Sequence, residues 1–286
     1  MGGLALARSQ VLNEMEPPTF TSASCCELGE GLTLGADGTV AWLDIHGSKI
    51  FVVRDDVEQC LPLKSEATVI FRVNANSLEF SSEAGIINLD LDAGVEQRVI
   101  RPPPQKRQRL RSNDGCYMGD GRYLMGFMHP SEPSINPGQL FYYCGQAWHL
   151  IDDDIAIPNT FLEISEKVFL ISDSLLGVIW KYKLGVDGRL LGKTTWMKFD
   201  GCSPDGGCVF RNYAMIALWG GGRICQINLL NKERTDCAVP FPRPTNCAVD
   251  KSGSVLWITS ARDGLSSETL RKFPLSGKTV SFEGVL

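Results

Sequence analysis

The stretch TVAWLDIHGSKIFVV, residues 39–53, consists of two short apolar runs separated by a polar turn containing glycine. Val, Ile, Trp and Phe dominate the runs, and Asp, His, Gly and Ser fill the gap, which is the composition of a β-hairpin. No sustained period of 3.6 residues runs through this stretch or through the rest of the chain. The same theme returns as SLEFSSEAGIINLDL (77–91) and, in longer form, as GRYLMGFMHPSEPSINPGQLFYY (121–143). It returns again as KVFLISDSLLGVIWKYKL (167–184), YAMIALWGGGRICQINL (213–229) and SVLWITSARDGLSSETLRKFPL (254–275). The apolar residues that open each second strand are Ile50, Ile87, Leu140, Ile179, Ile224 and Leu270, at intervals of 37, 53, 39, 45 and 46 residues.

A repeat of about 40–50 residues with about four strands per unit is the signature of a propeller blade. Six units fill the chain, so the sequence predicts an all-β fold, a six-bladed β-propeller. A two-sheet sandwich is the competing all-β solution, but it has no need of six copies. Because the last copy runs almost to Leu286, the segment around PTFTSASCC (18–26) is expected to supply a strand that closes the ring. Residues 1–18 read as an N-terminal tail and 19–286 as a single propeller domain.

Composition excludes several classes of function. The chain has 286 residues, 43% hydrophobic and 21% charged, with a formal net charge of −5, so it offers no electrostatic footprint for nucleic acid. The first residues, MGGLALARSQVLNEMEPP, lack the apolar core of a signal peptide, and Leu6 stands where N-myristoylation wants Ser or Thr. No apolar run approaches the ~20 residues of a membrane span. The expected location is cytoplasmic, where thiols stay reduced. Ten cysteines occur without a single C-x-x-C, and His46, His129 and His149 stand apart from them, so a zinc-thiolate site is not expected. Most of the cysteines read as small buried hydrophobes.

Other motifs have plain readings. RPPPQKRQRLR (101–111) carries three consecutive prolines before its charges and reads as an extended, solvated connector between blades. GGGR (220–223) lies between two strands and reads as a hairpin turn, since a phosphate loop runs from strand to helix. There is no G-x-S-x-G elbow and no G-x-G-x-x-G in a βαβ setting.

Four segments place oxygen-bearing residues beside glycine or proline, in loops that a propeller gathers at the mouth of its channel. They are ELGEGLTL (27–34), RSNDGCYMGDGR (111–122), AIPNTFLEI (156–164) and GCSPDGGC (201–208). Singly, each is a good turn sequence. The fourth, within KFDGCSPDGGCVF (198–210), also holds Cys202, Cys208, Asp200 and Asp205, and can be read as a metal site, a redox pair, a calcium loop or a turn.

Together, the order and spacing of LGEG (28–31), RSNDG (111–115) with GDGRYLMGFM, IPN (157–159) with VFLISDS, SPDGGC (203–208) and WITSARDGLS (257–266) resemble the senescence marker protein, gluconolactonase and luciferin-regenerating-enzyme family, which includes regucalcin. The resemblance covers residues from about 26 to 275 and implies the same six-bladed propeller. It further implies one divalent cation (calcium, zinc, magnesium or manganese) at the channel mouth, held by Glu30, Asn159 and Asp205, and substrate contacts from Arg111 and Asn113. Two carboxylates and an amide carbonyl are hard oxygen donors that suit such ions. Asp114 is expected to fix its loop. His129 follows GFM, where the family often places an acidic or polar substrate contact. Thr160 follows Asn159, where many members have glycine, so the loop there is expected to run differently.

The function implied is metal-dependent opening of a small-molecule sugar lactone of the gluconolactone type, with Asp205 as base toward metal-activated water. The rival readings are a non-catalytic calcium-binding or scaffold propeller, and an esterase or organophosphate hydrolase on the same site. Neither nucleic acid nor membrane is an expected partner, and the expected state is a monomer or weak homo-oligomer.

Overall fold

Each of the first five hairpins becomes the middle pair of a four-stranded antiparallel sheet. The structure, a computed structural model, describes residues 17–105 and 110–284. Residues 1–16 of the expected tail and 106–109 of the basic connector lie outside the described residues. The chain enters the fold with β1 (Phe20–Thr21). Blade 1 holds β2 (Gly29–Leu34), β3 (Val40–Asp44), β4 (Lys49–Arg54) and β5 (Val57–Pro62). Blade 2 holds β6 (Ala67–Val73), β7 (Ser77–Ser82), β8 (Gly85–Asp90) and β9 (Val95–Ile100). Blade 3 holds β10 (Arg111–Tyr117), β11 (Tyr123–Met128), β12 (Gly138–Cys144) and β13 (Ala147–Ile155). Blade 4 holds β14 (Pro158–Ser165), β15 (Val168–Asp173), β16 (Val178–Leu184) and β17 (Leu190–Lys198). Blade 5 holds β18 (Ser203–Phe210), β19 (Tyr213–Trp219), β20 (Arg223–Asn228) and β21 (Arg234–Ala238).

The sixth blade is composite. It contains β22 (Pro244–Val249), β23 (Val255–Ser260) and, past the short helix α1 (Ser267–Lys272), β24 (Val280–Glu283). Its outermost strand is β1, in the order β1-β24-β23-β22. Phe20 and Thr21 pair with Ser281 and Val280, and Phe20 packs against Trp257 with ring centroids 5.0 Å apart. The expected N-terminal closing strand is therefore present. The expectation that Leu270 opens a strand is corrected: Leu270 lies on α1, and the third strand begins at Val280. Ser266 caps the helix by accepting from the Thr269 N–H, with Glu268 in the first turn and Arg271 and Lys272 in the last. Six residues are too few to show a helical period against the apolar runs around them.

Packing explains why the middle strands read as nearly continuous apolar runs. Along β3 and β4, Ala41, Leu43, Ile50 and Val52 face blade 2, while Val40, Trp42, Phe51 and Val53 face blade 6. Each sheet is thus sandwiched between two neighbours, and the core is divided into six inter-blade layers. The outermost strands, such as VEQCLP of β5 and VEQRVI of β9, have one covered face and are largely exposed. The ten cysteines are free thiols. Cys26, Cys225, Cys237 and Cys247 are buried, four others are half-buried, and Cys25 and Cys60 are exposed. Among the described residues no helix is long and apolar enough to cross a membrane.

The closing seam makes a prediction about stability. Phe20→Ala removes the ring contact with Trp257 and should cost about 1–2 kcal/mol. In a chain of this size each kcal/mol lowers Tm by roughly 2–4 °C, readable by calorimetry. An unchanged melting curve would show that the seam contributes nothing.

Candidate metal centre and active site

The innermost strands of the six blades are β2, β6, β10, β14, β18 and β22, and every one carries a break in register near its start. The breaks fall between Glu30 and Thr33, Ala67 and Ile70, Ser112 and Gly115, Asn159 and Leu162, Pro204 and Gly207, and Pro244 and Asn246. A bulge of this kind re-aims the side chains beside it. Glu30, Asn113, Asp114, Asn159 and Asp205 all lie in or at these breaks, so one backbone device, repeated around the ring, presents them to the channel. Below them the channel holds a cavity of about 210 Å³ whose lining includes Gly31, Asp114, Phe161, Gly207 and Asn246.

Three carboxylates feel one another's charge there. Burial, then the charge of Asp114, raise the Glu30 pKa to about 8, against the smaller opposing effects of the Gly31 N–H and Arg111. Burial raises Asp114 to about 7 although the backbone N–H groups of Gly115, Thr160 and Phe161 donate to it. Asp205, 5% exposed, is held well above the ordinary carboxylate range by burial and by the charges of Glu30 and Asp114.

Asn159 joins this group directly. One amide hydrogen goes to Asp205 Oδ1 at 2.7 Å and the other to Ser174 Oγ at 3.2 Å. Both N–H groups are thereby used, and the amide oxygen is left facing away from them. Asp205 Oδ1 also accepts from the Gly206 N–H at 3.1 Å, and Glu30 Oε2 accepts from the Gly31 N–H at 3.2 Å. Among the described residues, Glu30 Oε1, Asn159 Oδ1 and Asp205 Oδ2 accept no hydrogen bond. No trio of His, Cys, Asp or Glu among the described residues forms a metal cluster. The available donor set instead mixes two carboxylates with one amide, all hard oxygens. A divalent cation fits it, because it neutralises the charge that burial penalises.

Arg111 and Asn113 sit one blade away. Arg111 Nη1 donates to the Ser112 carbonyl at 2.8 Å and to Asn113 Oδ1 at 3.0 Å. Asn113 Nδ2 donates to the Pro158 carbonyl at 3.0 Å, which ties blade 3 to the strand of Asn159. His129 follows Met128, the register partner of Arg111, at the same end of the blade. Its Nδ1 accepts from the Ser131 and Glu132 N–H groups at 3.4 and 3.0 Å, so the ring orders its own loop and presents Nε2–H. Asp114 Oδ1 accepts from the Gly115 N–H of its own strand at 2.7 Å.

Thr160 departs from expectation. Its φ is +57°, so the backbone keeps the left-handed conformation despite a β-branched side chain, which disfavours it by about 1–3 kcal/mol. The Thr160 hydroxyl donates to the Asp205 carbonyl and accepts from Ser172 Oγ at 3.0 Å. Cys202 and Cys208 pack into different inter-blade layers on either side of Asp205, which excludes a redox pair.

Residues that the sequence did not flag also shape the site. Ser174 orients the Asn159 amide, and Asp173 accepts from the N–H groups of Ala156, Ile157, Leu175 and Leu176. Asp44 does the same for Glu27 and Leu28 in blade 1. The available signal was an aspartate followed three or four residues later by glycine, in LDIHG and SDSLLG.

Comparison with known proteins identifies the family. Residues 28–262 match the family described as the SMP-30/Gluconolactonase/LRE-like region. The chain is 29% identical over 272 residues to an L-arabinolactonase of Azospirillum brasilense, covering 87% of this chain and 86% of that one. It is 28% identical over 260 residues to a regucalcin of Danio rerio, covering 87% and 88%. A solved calcium-binding protein, regucalcin, from Agrobacterium tumefaciens superposes with a TM-score of 0.83 at 20% identity, covering 95% of each chain.

The raised carboxyl pKa values give a pH prediction. Folded-state values above the unfolded ones stabilise the protein fully below about pH 4, and that contribution is lost as pH rises through about 7–8. Protein stripped of divalent ions should therefore gain more in Tm from added calcium or manganese at pH 8.5 than at pH 5.5. Equal gains, measured by scanning fluorimetry, would contradict the cluster.

Proposed function

This chain belongs to the SMP-30/gluconolactonase/LRE-like family, and we propose that it hydrolyses the ring ester of a sugar lactone to the open aldonic acid with the help of one divalent cation. The observation that carries the proposal is the Asn159 amide. With its hydrogens on Ser174 Oγ and Asp205 Oδ1, it leaves its oxygen unbonded next to a carboxylate that feels the charge of Glu30, which supports its use as an ion ligand. The relatives named for lactone hydrolysis and for calcium binding support both halves of the reading.

When bound, a divalent cation supplies Lewis acidity that polarises an ester carbonyl and acidifies water. Glu30 and Asp205 neutralise its two charges, and three protein ligands leave room for substrate and water. Asp205 would be both a ligand of the ion and the base that receives the proton of the attacking water. Burial among like charges holds its carboxyl above the ordinary range, and a bound cation would offset that by its charge. The Arg111 guanidinium and the Asn113 amide, already linked to each other, orient the sugar hydroxyls. His129, whose Nδ1 is used by its own loop, would offer Nε2–H as a further donor to substrate.

Three experiments test this. Asp205→Asn and Glu30→Gln should each lower kcat toward aldonolactones roughly a hundredfold or more in a pH-indicator assay, and chelation should do the same reversibly. Activity undiminished in either variant sinks the assignment. Arg111→Lys, which removes the rigid fork, should raise KM roughly tenfold with a smaller effect on kcat. A panel that also contains aryl esters and a phosphotriester separates a lactonase from a general esterase. Cation binding with no turnover of any of them identifies a purely cation-binding propeller.

A further inference from the structure

Three buried threonines recur at the bulges of alternate inner strands: Thr68 in β6, Thr160 in β14 and Thr245 in β22. Each is backed by a buried hydroxyl on the second strand of its own blade. Thr68 lies 2.9 Å from Ser81, Thr160 3.0 Å from Ser172 and Thr245 2.9 Å from Thr259. Each also reaches into the next blade. Thr68 Oγ1 bonds Ser112 Oγ at 2.9 Å, Thr160 donates to the Asp205 carbonyl, and Thr245 donates to the Gly29 carbonyl at 2.5 Å. The strands reached are the ones that carry Arg111 and Asn113, Asp205, and Glu30.

The pattern is most telling at Thr160. Gly31, which follows Glu30 as Thr160 follows Asn159, has a φ of +62°, which glycine adopts without strain. Threonine is disfavoured in the same conformation, so what the position gains from it is the hydroxyl. Neighbouring hydroxyls extend the grip: Ser174 donates to the Pro204 carbonyl at 2.7 Å, and Ser172 lies 3.1 Å from the same oxygen. Two successive carbonyls of β18 are thus held from blade 4. Neither faces water, so a missing donor leaves a buried acceptor unpaired and the strand free to shift.

We infer that Thr160 is a positioning residue whose hydroxyl, donated to the Asp205 carbonyl, fixes the backbone from which Asp205 joins Glu30 and Asn159 at one divalent cation. Thr68 and Thr245 do the same for the strands of Arg111 and Glu30. The inference rests on the ion site of the proposed function and goes beyond it in naming what sets that site's geometry.

The test removes the hydroxyl in two ways and restores it in a third. Thr160→Val keeps the branched shape, Thr160→Gly removes the hydroxyl while relieving the backbone and so guards against misfolding, and Thr160→Ser keeps the hydroxyl. Stripped proteins are titrated calorimetrically with calcium chloride and with manganese chloride, and kcat and KM are measured on aldonolactones. Loss of an outer partner of a metal ligand weakens affinity roughly ten- to a hundredfold. Thr160→Val and Thr160→Gly should show that loss, with kcat falling and KM nearly constant, and Thr160→Ser should recover most of it. Wild-type affinity in the valine and glycine variants overturns the inference, as does a serine variant no better than valine. A wild-type protein that binds the ions but opens no lactone removes the proposed activity alone, and the order of affinities still decides the role of Thr160.

Discussion

A β-sheet whose two faces are both apolar has no stable existence by itself; it needs a neighbour on each side. That requirement governs this molecule. In blade 1, alternate residues of the same two strands feed different cores, with Leu43 and Ile50 turned one way and Trp42 and Phe51 the other. When every blade makes the same demand, a stack has two unsatisfied ends and a ring has none. The ring closes where Cys26, Leu32 and Trp42 of the first blade meet Phe20 and Trp257 of the last.

Closure has a second effect, on electrostatics. Six inner strands converge around a channel that holds a cavity of about 210 Å³, and each carries a bulge near its start. Carboxylates gathered there lose hydration and repel one another, and Glu30, Asp114 and Asp205 do both. The backbone donors at Gly31, Gly115 and Gly206 offset only part of that cost. What remains is a group of three buried carboxyls held well above the ordinary carboxylate range. The same polar belt is braced from behind by hydroxyls, so the groups that repel are carried on strands that resist being pushed apart.

The hairpins were legible in the sequence because burial on both faces removes the alternation that would otherwise compete with turn residues as a signal. Ile50, Ile87, Leu140, Ile179 and Ile224 all fall in the third strand of their blades. The sixth interval failed because a helix of six residues interrupts the hairpin and carries an apolar leucine at the place where a strand was due. The site was less legible. Read singly, LGEG, SNDG, IPN and SPDGG are turn sequences, and only resemblance joined them. Thr160 shows why local rules run out: its φ is decided by the bulge and by a hydroxyl partner 45 residues away in the chain, neither of which a propensity records. Ser172 and Ser174 were invisible for the same reason, since a serine in a strand looks alike whether it meets water or a neighbouring carbonyl.

The seam between β1 and β24 has a bearing on how the molecule is made. Thr19 finds its partner Ser281 across a separation of 262 residues. As the polypeptide emerges from a ribosome, blade after blade can assemble into an arc, yet the arc stays open until β24 has been made. Throughout that interval β1 is an orphan strand and blade 1 has one bare apolar flank, both exposed to every other nascent chain nearby. Slow closure over such a span is the cost of a topology rich in distant pairings, and it makes the newborn protein, rather than the finished one, the natural client of a chaperone.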